Sequence, residues 1–304
     1  MSKESSTAKS WMAQSIMDQR GLAQGRIGET HELTPERQGK YHYTIGPYSD
    51  PVLTIKPGDR VVFWTQDCFE GRIKDENDLP SQILEMPFIN PQCGPVIVEG
   101  AEKGDALAVH IESMVPWGEN PLGTCCLIPE FGGLTGTNYT ATLNDPLPEL
   151  VRKIHLDEKH VYWSDRVTLP YKPHVGTISC SPEIDSINAL TPDQHGGNMD
   201  MPDICPGNIV YLPVKVPGAR FFIGDCHACQ GDGEVCGVAV EYRSPRSAST
   251  SSRAGTSPGR ASRRKISSWP SAARARSKTQ PVSPIASWCT GSSRTTASTS
   301  GMPT

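Results

Sequence analysis

The chain has 304 residues, 36% of them hydrophobic, which is enough for one large domain or two modest ones. Its net charge of -4 hides a division: residues 243–304 hold eleven of the 29 Lys plus Arg and no acid. The other 18 face all 33 Asp plus Glu in residues 1–242, leaving the body at -15 and the last segment at +11. An acidic body argues against nucleic acid as a partner, because the phosphate backbone selects basic surfaces. No run reaches the roughly 18 apolar residues of a membrane span, and no apolar signal segment opens the chain, so a cytoplasmic protein is expected.

Residues 1–40 are polar and without sustained period, and read as an N-terminal arm. An alternating run, residues 41–45, opens the body. It is followed by Pro51-Val52-Leu53-Thr54-Ile55, a Lys56-Pro57-Gly58-Asp59 turn and Arg60-Val61-Val62-Phe63-Trp64, a strand-turn-strand phrase. Variants recur at residues 101–111, 204–214 and 218–225. Short β-rich runs with Gly and Pro turns, and few helical patterns, predict a mainly β fold over residues 41–242: an antiparallel sandwich or barrel-like body with long loops. The stretches 67–90, 117–144 and 181–206 read as those loops.

Residues 243–304, rich in Ser, Arg, Thr and Ala, lack the apolar content to fold and read as a disordered tail. Their composition also fits translation in a shifted frame. Read one nucleotide upstream, residues 291–304 can become Trp-Val-Val-Glu-Asp-Tyr-Gly-Phe-Asp-Lys-Trp-Asp-Ala-Tyr. A frameshift near Arg243, removing the natural C-terminal region, is the expectation.

Chemistry is densest in Gly224-Asp225-Cys226-His227-Ala228-Cys229-Gln230-Gly231-Asp232-Gly233-Glu234. Lying between apolar runs at 219–223 and 235–240, it reads as a loop joining two strands. In extended chain, residues two apart share a face, so Asp225 and His227 converge while Cys226 turns away. His195-Gly196-Gly197-Asn198-Met199-Asp200 repeats the spacing with Asn198 and Asp200. Together these groups could hold zinc or another divalent ion, with Glu234 as the base that deprotonates a water. The bland alternative is a set of hydrogen-bonded structural residues. Cys226-x-x-Cys229 finds no second pair at zinc-ribbon spacing and no βαβ setting for a redox motif, and the ten cysteines read as free thiols.

The Gly-Gly-Asn-Met-Asp and Gly-Asp-Cys-His…Gln-Gly-Asp-Gly-Glu phrases resemble the acetamidase/formamidase family, as do residues 53–59 and 90–96. The resemblance spans about residues 40–242. It implies hydrolysis of formamide or acetamide to ammonia and the carboxylate by a mainly β homo-oligomer. With no Gly-x-Ser-x-Gly elbow, a water activated by a metal or carboxylate is the expected nucleophile. On this reading His195, Asp200, Asp225 and His227 are the metal set, Glu234 is the base and Asn198 orients the amide. A non-catalytic ligand-binding sandwich, or an inactive product of a frameshifted gene, are the alternatives.

Overall fold

The computed structural model describes residues 28–135 and 145–253, with backbone alone over 245–253. In chain order the strands are β1 (Thr30–Leu33), β2 (Thr44–Ile45), β3 (Leu53–Ile55), β4 (Arg60–Thr65), β5 (Gln92–Val98) and β6 (Ala106–Met114). Then come β7 (Leu122–Leu127), β8 (Leu150–Leu156), β9 (His160–Ser164), β10 (Val167–Pro170) and β11 (His174–Cys180). The last are β12 (Ile187–Asn188), β13 (Gly196–Asn198), β14 (Ile209–Pro213), β15 (Phe221–His227), β16 (Glu241–Tyr242) and β17 (Ser244–Arg253). Helix is confined, among the described residues, to the single turns Pro35–Gln38 and Pro80–Ile83.

Two main sheets result, and neither closes into a barrel. One runs β1-β4-β17-β6-β14; the other runs β10-β9-β8-β7-β16-β15-β11-β13, with β5 also on β15 and β3 on β5. Ladders are antiparallel except β1 with β4 and β3 with β5. The mainly β expectation holds. β4 shows why: its burial alternates, with Val61, Phe63 and Thr65 inward, because successive residues of a strand face opposite sides. Phe63 meets Phe221 of the other sheet edge-on, at 5.9 Å between ring centroids, within a core that includes Leu107, Val109, Ile111, Val96 and Ile178. A smaller cluster of Cys68, Phe69, Ile73, Cys126, Ile128, Val151 and Val238 lies beside it.

Several sequence expectations are corrected. Ordered chain begins inside the expected arm, where β1 buries Leu33 completely; four residues are too few to show a period in sequence. Residues 1–27 lie outside the described residues. Strands β7, β12 and β13 run through stretches expected as loops. The run 235–240, expected as a strand, is a turn: the Gly237 amide donates to the Glu234 carbonyl at 2.9 Å, and Gly237 has a φ of 84°.

The expected disordered tail also begins ordered. β17 fills the slot between β4 and β6 because the unpaired backbone edges of both neighbours accept any chain with N–H and C=O groups to offer. Its sequence does not match that place. Arg246 stands opposite Phe63 and Met114, and Ala248 opposite Val61 and Ile111, all buried core residues. Residues 254–304 lie outside the described residues.

Candidate active site

The site forms where β15, β11, β16 and β13 lie side by side. Register sets His174 opposite His227, His227 opposite Glu241, and Thr177 opposite both Gly224 and Asn198. β15 extends through His227, so Asp225, Cys226 and His227 belong to a strand rather than the expected loop. The alternation holds: Asp225 Oδ1 lies 3.3 Å from His227 Nε2, while Cys226 Sγ turns to Thr65 Oγ1 at 2.9 Å. Both site aspartates have left-handed backbone, with φ of 57° at Asp225 and 45° at Asp200, and so has Asn90, with φ of 65°. Asn and Asp tolerate that region better than other side chains, and such strain gathers at functional sites.

The His227 imidazole is fully buried and two-faced. Nε2 faces carboxylates: Glu241 Oε1 at 3.2 Å, Asp225 Oδ1 at 3.3 Å and Glu234 Oε1 at 3.8 Å. Nδ1 faces Gln230 Oε1 at 2.8 Å and His174 Nε2 at 3.1 Å. Burial lowers the affinity of His227 for a proton, but the Glu241 and Asp225 charges outweigh it and hold its pKa well above the usual value. His174, pressed down to about 4 by burial and by the charge on His227, stays neutral and can accept the Nδ1 proton.

The carboxylates divide. Burial pushes Asp225 up, yet His227 beside it and the Thr177 hydroxyl, 3.1 Å away, leave it below the ordinary range. Asp200 is raised to about 7 and Glu241 to about 7, chiefly by burial, and Glu234 to about 9 by burial and then by the Asp200 charge. One oxygen each of Asp200, Glu234 and Glu241 is buried without a hydrogen-bond partner. Buried oxygens of this kind call for a cation or donor. Asp200, His227 and Glu234 each offer a ligand atom, all within 4.8 Å of one another, and Cys68, Asp225 and Glu241 form a second such group. The donor set of imidazole and carboxylates suits a divalent ion.

A polar floor supports this centre. Asn198 Oδ1 accepts from Thr177 Oγ1 at 2.6 Å and lies 3.3 Å from Asn90 Nδ2, which leaves the Asn198 amide N–H groups free of that contact. Gln230 Nε2 donates to the Asp200 carbonyl at 2.8 Å. Gly176 is required here: a Cβ on it would stand 2.3 Å from Asp225 Oδ2 and 2.8 Å from His227 Cε1.

Of the six residues expected from sequence, Asp200, Asp225, His227 and Glu234 meet, and Asn198 joins them through Thr177. His195 stands apart from both ligand groups, with both ring nitrogens buried and unpartnered, and Gly197 packed beside its ring. The sequence reading missed His174, Glu241, Asn90 and Thr177 and gave Gln230 no role. Glu241 had a signal, a lone acid inside Val238-Ala239-Val240-Glu241-Tyr242; His174 and Thr177 are brought in by register between distant strands, and Asn90 by the loop before β5.

These features define a β-sandwich protein with a buried imidazole ringed by four carboxylates. The chain belongs to the acetamidase/formamidase family, whose model matches residues 29–190 and 183–247. It is 27% identical to a formamidase of Methylophilus methylotrophus over 260 residues, 67% of this chain and 62% of that protein. An acetamidase of Mycolicibacterium smegmatis is 26% identical over 255 residues, 65% of this chain and 62% of that one. The crystal structure of an acetamidase from Yersinia enterocolitica shares 65% identity and a TM-score of 0.74, covering 79% of this chain and 73% of that one. The chain thus spans less than two thirds of the length of the formamidase and acetamidase relatives it matches.

Proposed function

We propose that this protein hydrolyses short aliphatic amides such as formamide and acetamide to ammonia and the carboxylate. The observation that carries this reading is the convergence of Asp200, His227 and Glu234, two of which hold a buried carboxylate oxygen without a hydrogen-bond partner. The family and the names of its relatives support the amide as substrate.

Asp200, His227 and Glu234 are the residues that would hold a divalent cation, with zinc the first candidate. When bound, it would polarise the amide carbonyl and acidify the attacking water. The chain's own groups do the rest. Gln230 and His174 take up the Nδ1 side of His227 and keep Nε2 turned to the carboxylates. Asn198, anchored through its oxygen, presents N–H donors to the substrate carbonyl, where negative charge develops.

Glu234 handles the proton. Its side chain is 14% exposed, against 6% for Asp225 and 2% for Glu241, so it is the carboxylate of these three nearest to solvent. Raised to about 9, its carboxyl holds a proton near neutral pH that it can pass to the departing nitrogen, and it recovers one from the attacking water. His195 has no place in this scheme.

A cytoplasmic homo-oligomer is part of the same proposal. Nine free cysteines among the described residues suit a reducing compartment, and exposed Tyr48, Phe88 and Ile184 supply apolar surface for a second copy. No helix among the described residues is long and apolar enough to cross a membrane. For the domain arrangement we infer one catalytic body and a frame change near Arg243, supported by the family match ending at residue 247 and by the misfit of β17.

The test is ammonia release from formamide, acetamide and propionamide by zinc-supplemented protein. Turnover of the shorter amides is expected; saturable amide binding without ammonia would replace this reading with that of a binding module.

A further inference from the structure

Beside the proposed cation site lie two side chains, Cys68 and Glu241, that no step of the hydrolysis above uses. With Asp225 they offer three ligand atoms, all within 4.8 Å of one another, and the group shares no residue with Asp200, His227 and Glu234. All three residues are buried. Two carboxylates held this close away from water need a cation or a shared proton between them.

Glu241 is half satisfied. Its Oε1 faces His227 Nε2 at 3.2 Å and accepts from the Ala239 amide at 3.1 Å, whereas Oε2 is buried with no hydrogen-bond partner. Asp225 has contacts at both oxygens, Oδ1 to His227 at 3.3 Å and Oδ2 to Thr177 Oγ1 at 3.1 Å. Each carboxylate oxygen carries two lone pairs, so these contacts leave room for a cation.

Cys68 is a free thiol on a turn that its neighbours fix. Asp67 Oδ1 accepts from the Phe69 amide at 2.9 Å and the Gly71 amide at 3.0 Å, and the Cys68 carbonyl accepts from the Asn90 amide at 2.7 Å. Phe69 and Ile73 anchor the turn in the smaller core cluster. The three donors are thus in place before an ion arrives, which cuts the ordering cost of binding.

We propose that Cys68, Asp225 and Glu241 form a second divalent-cation site, selective for zinc through its sulfur. Oxygen ligands alone suit magnesium, calcium or manganese, whereas a thiolate selects a softer ion. Three protein ligands leave a fourth tetrahedral position for water, the ligand count of a reactive rather than a structural zinc. Binding forms one bond to sulfur and two to carboxylate oxygens, and the thiol proton passes to solvent; nothing is oxidised or reduced. The site rests on its own donors and takes up zinc whether or not the chain hydrolyses amides.

In the test, the full chain is stripped with a chelator and titrated with cobalt(II), followed by elemental analysis and absorption spectroscopy. About two cobalt ions per chain and a near-ultraviolet thiolate-to-cobalt band, both displaced by zinc, are expected. Cys68→Ser should lose the band and about one of the ions, while Cys180→Ser, which removes a buried thiol outside the group, should keep both. Glu241→Gln should raise the cobalt concentration at which the band half-saturates by about tenfold or more. One cobalt per chain in the unsubstituted protein, a spectrum without the thiolate band, or a band that survives Cys68→Ser overturns the site. The unsubstituted protein decides the first two outcomes even where a variant fails to fold. Ammonia release enters none of these readings, so failure of the amidase proposal is seen separately.

Discussion

His227 Nδ1 and Gln230 Oε1 are 2.8 Å apart, and the other end of the same carboxamide donates to the Asp200 carbonyl at 2.8 Å. One side chain thus fixes the face of the imidazole and the backbone of the aspartate opposite. Gln230→Leu removes both contacts without adding charge. A loss of about 10- to 100-fold in kcat/KM for formamide is expected, with lower zinc content by elemental analysis. Unchanged turnover and metal content would leave Gln230 a bystander.

Glu234→Gln keeps the shape of the side chain and removes its capacity to carry a proton. A fall of about 100- to 10,000-fold in kcat is expected, with far-UV circular dichroism unchanged. Formamide hydrolysis at the unsubstituted rate would rule out Glu234, and the same outcome for His227→Ala would rule out the site.

The pH dependence of stability follows from the raised carboxylates. Asp200 at about 7, Glu241 at about 7 and Glu234 at about 9 keep protons in the fold that the unfolded chain releases near pH 4. Between those limits the native state binds more protons, so stability falls as pH rises. His227 acts in the same sense: its contribution is full below about pH 6.5 and is lost as pH rises through its raised folded value. Asp225, lowered, acts oppositely but in acid: its contribution is present above about pH 3.9 and is lost as pH falls. Chelator-treated protein should melt higher at about pH 6 than at about pH 8.5, with zinc restoring more at the higher pH. A melting temperature that rises with pH across this window, measured by calorimetry, contradicts the assignment.

Gly176→Ala isolates the site from the fold. The added methyl meets Asp225 Oδ2 and His227 Cε1, both on β15, which is paired directly with the strand that carries Gly176. Loss of amide hydrolysis to below about 1% with a cooperative thermal transition retained is expected. Near-normal activity would show that Asp225 and His227 are not held where hydrolysis needs them.

Arg246→Val tests β17. Position 246 is opposite Phe63 and Met114 in the ladder, where an apolar side chain suits the neighbours. A rise in melting temperature of about 2–4 °C for each kcal/mol gained is expected. Sequencing the gene around Arg243 decides the frame: a stop codon in the upstream frame within this stretch removes the frameshift.

The legible part of this protein was the part governed by short range. Alternation across residues 53–64, 106–111 and 209–214 located β3, β4, β6 and β14, because burial on one face writes a period of two into the chain. Spacing alone also paired Asp225 with His227. Runs of mixed polarity such as Gly196–Asn198 and Ser244–Arg253 carry no such period. They became strands because neighbouring edges supplied hydrogen bonds, which a sequence pattern does not record.

The mainly β class and the neighbourhood of Asp200, Asp225, His227 and Glu234 were legible locally, since composition, turn residues and two-residue spacing are local quantities. Long-range pairing alone set His174 and Glu241 around His227 and left His195 outside both ligand groups. Those pairings depend on strand order and register, which long-range burial sets and nearest neighbours in the chain do not.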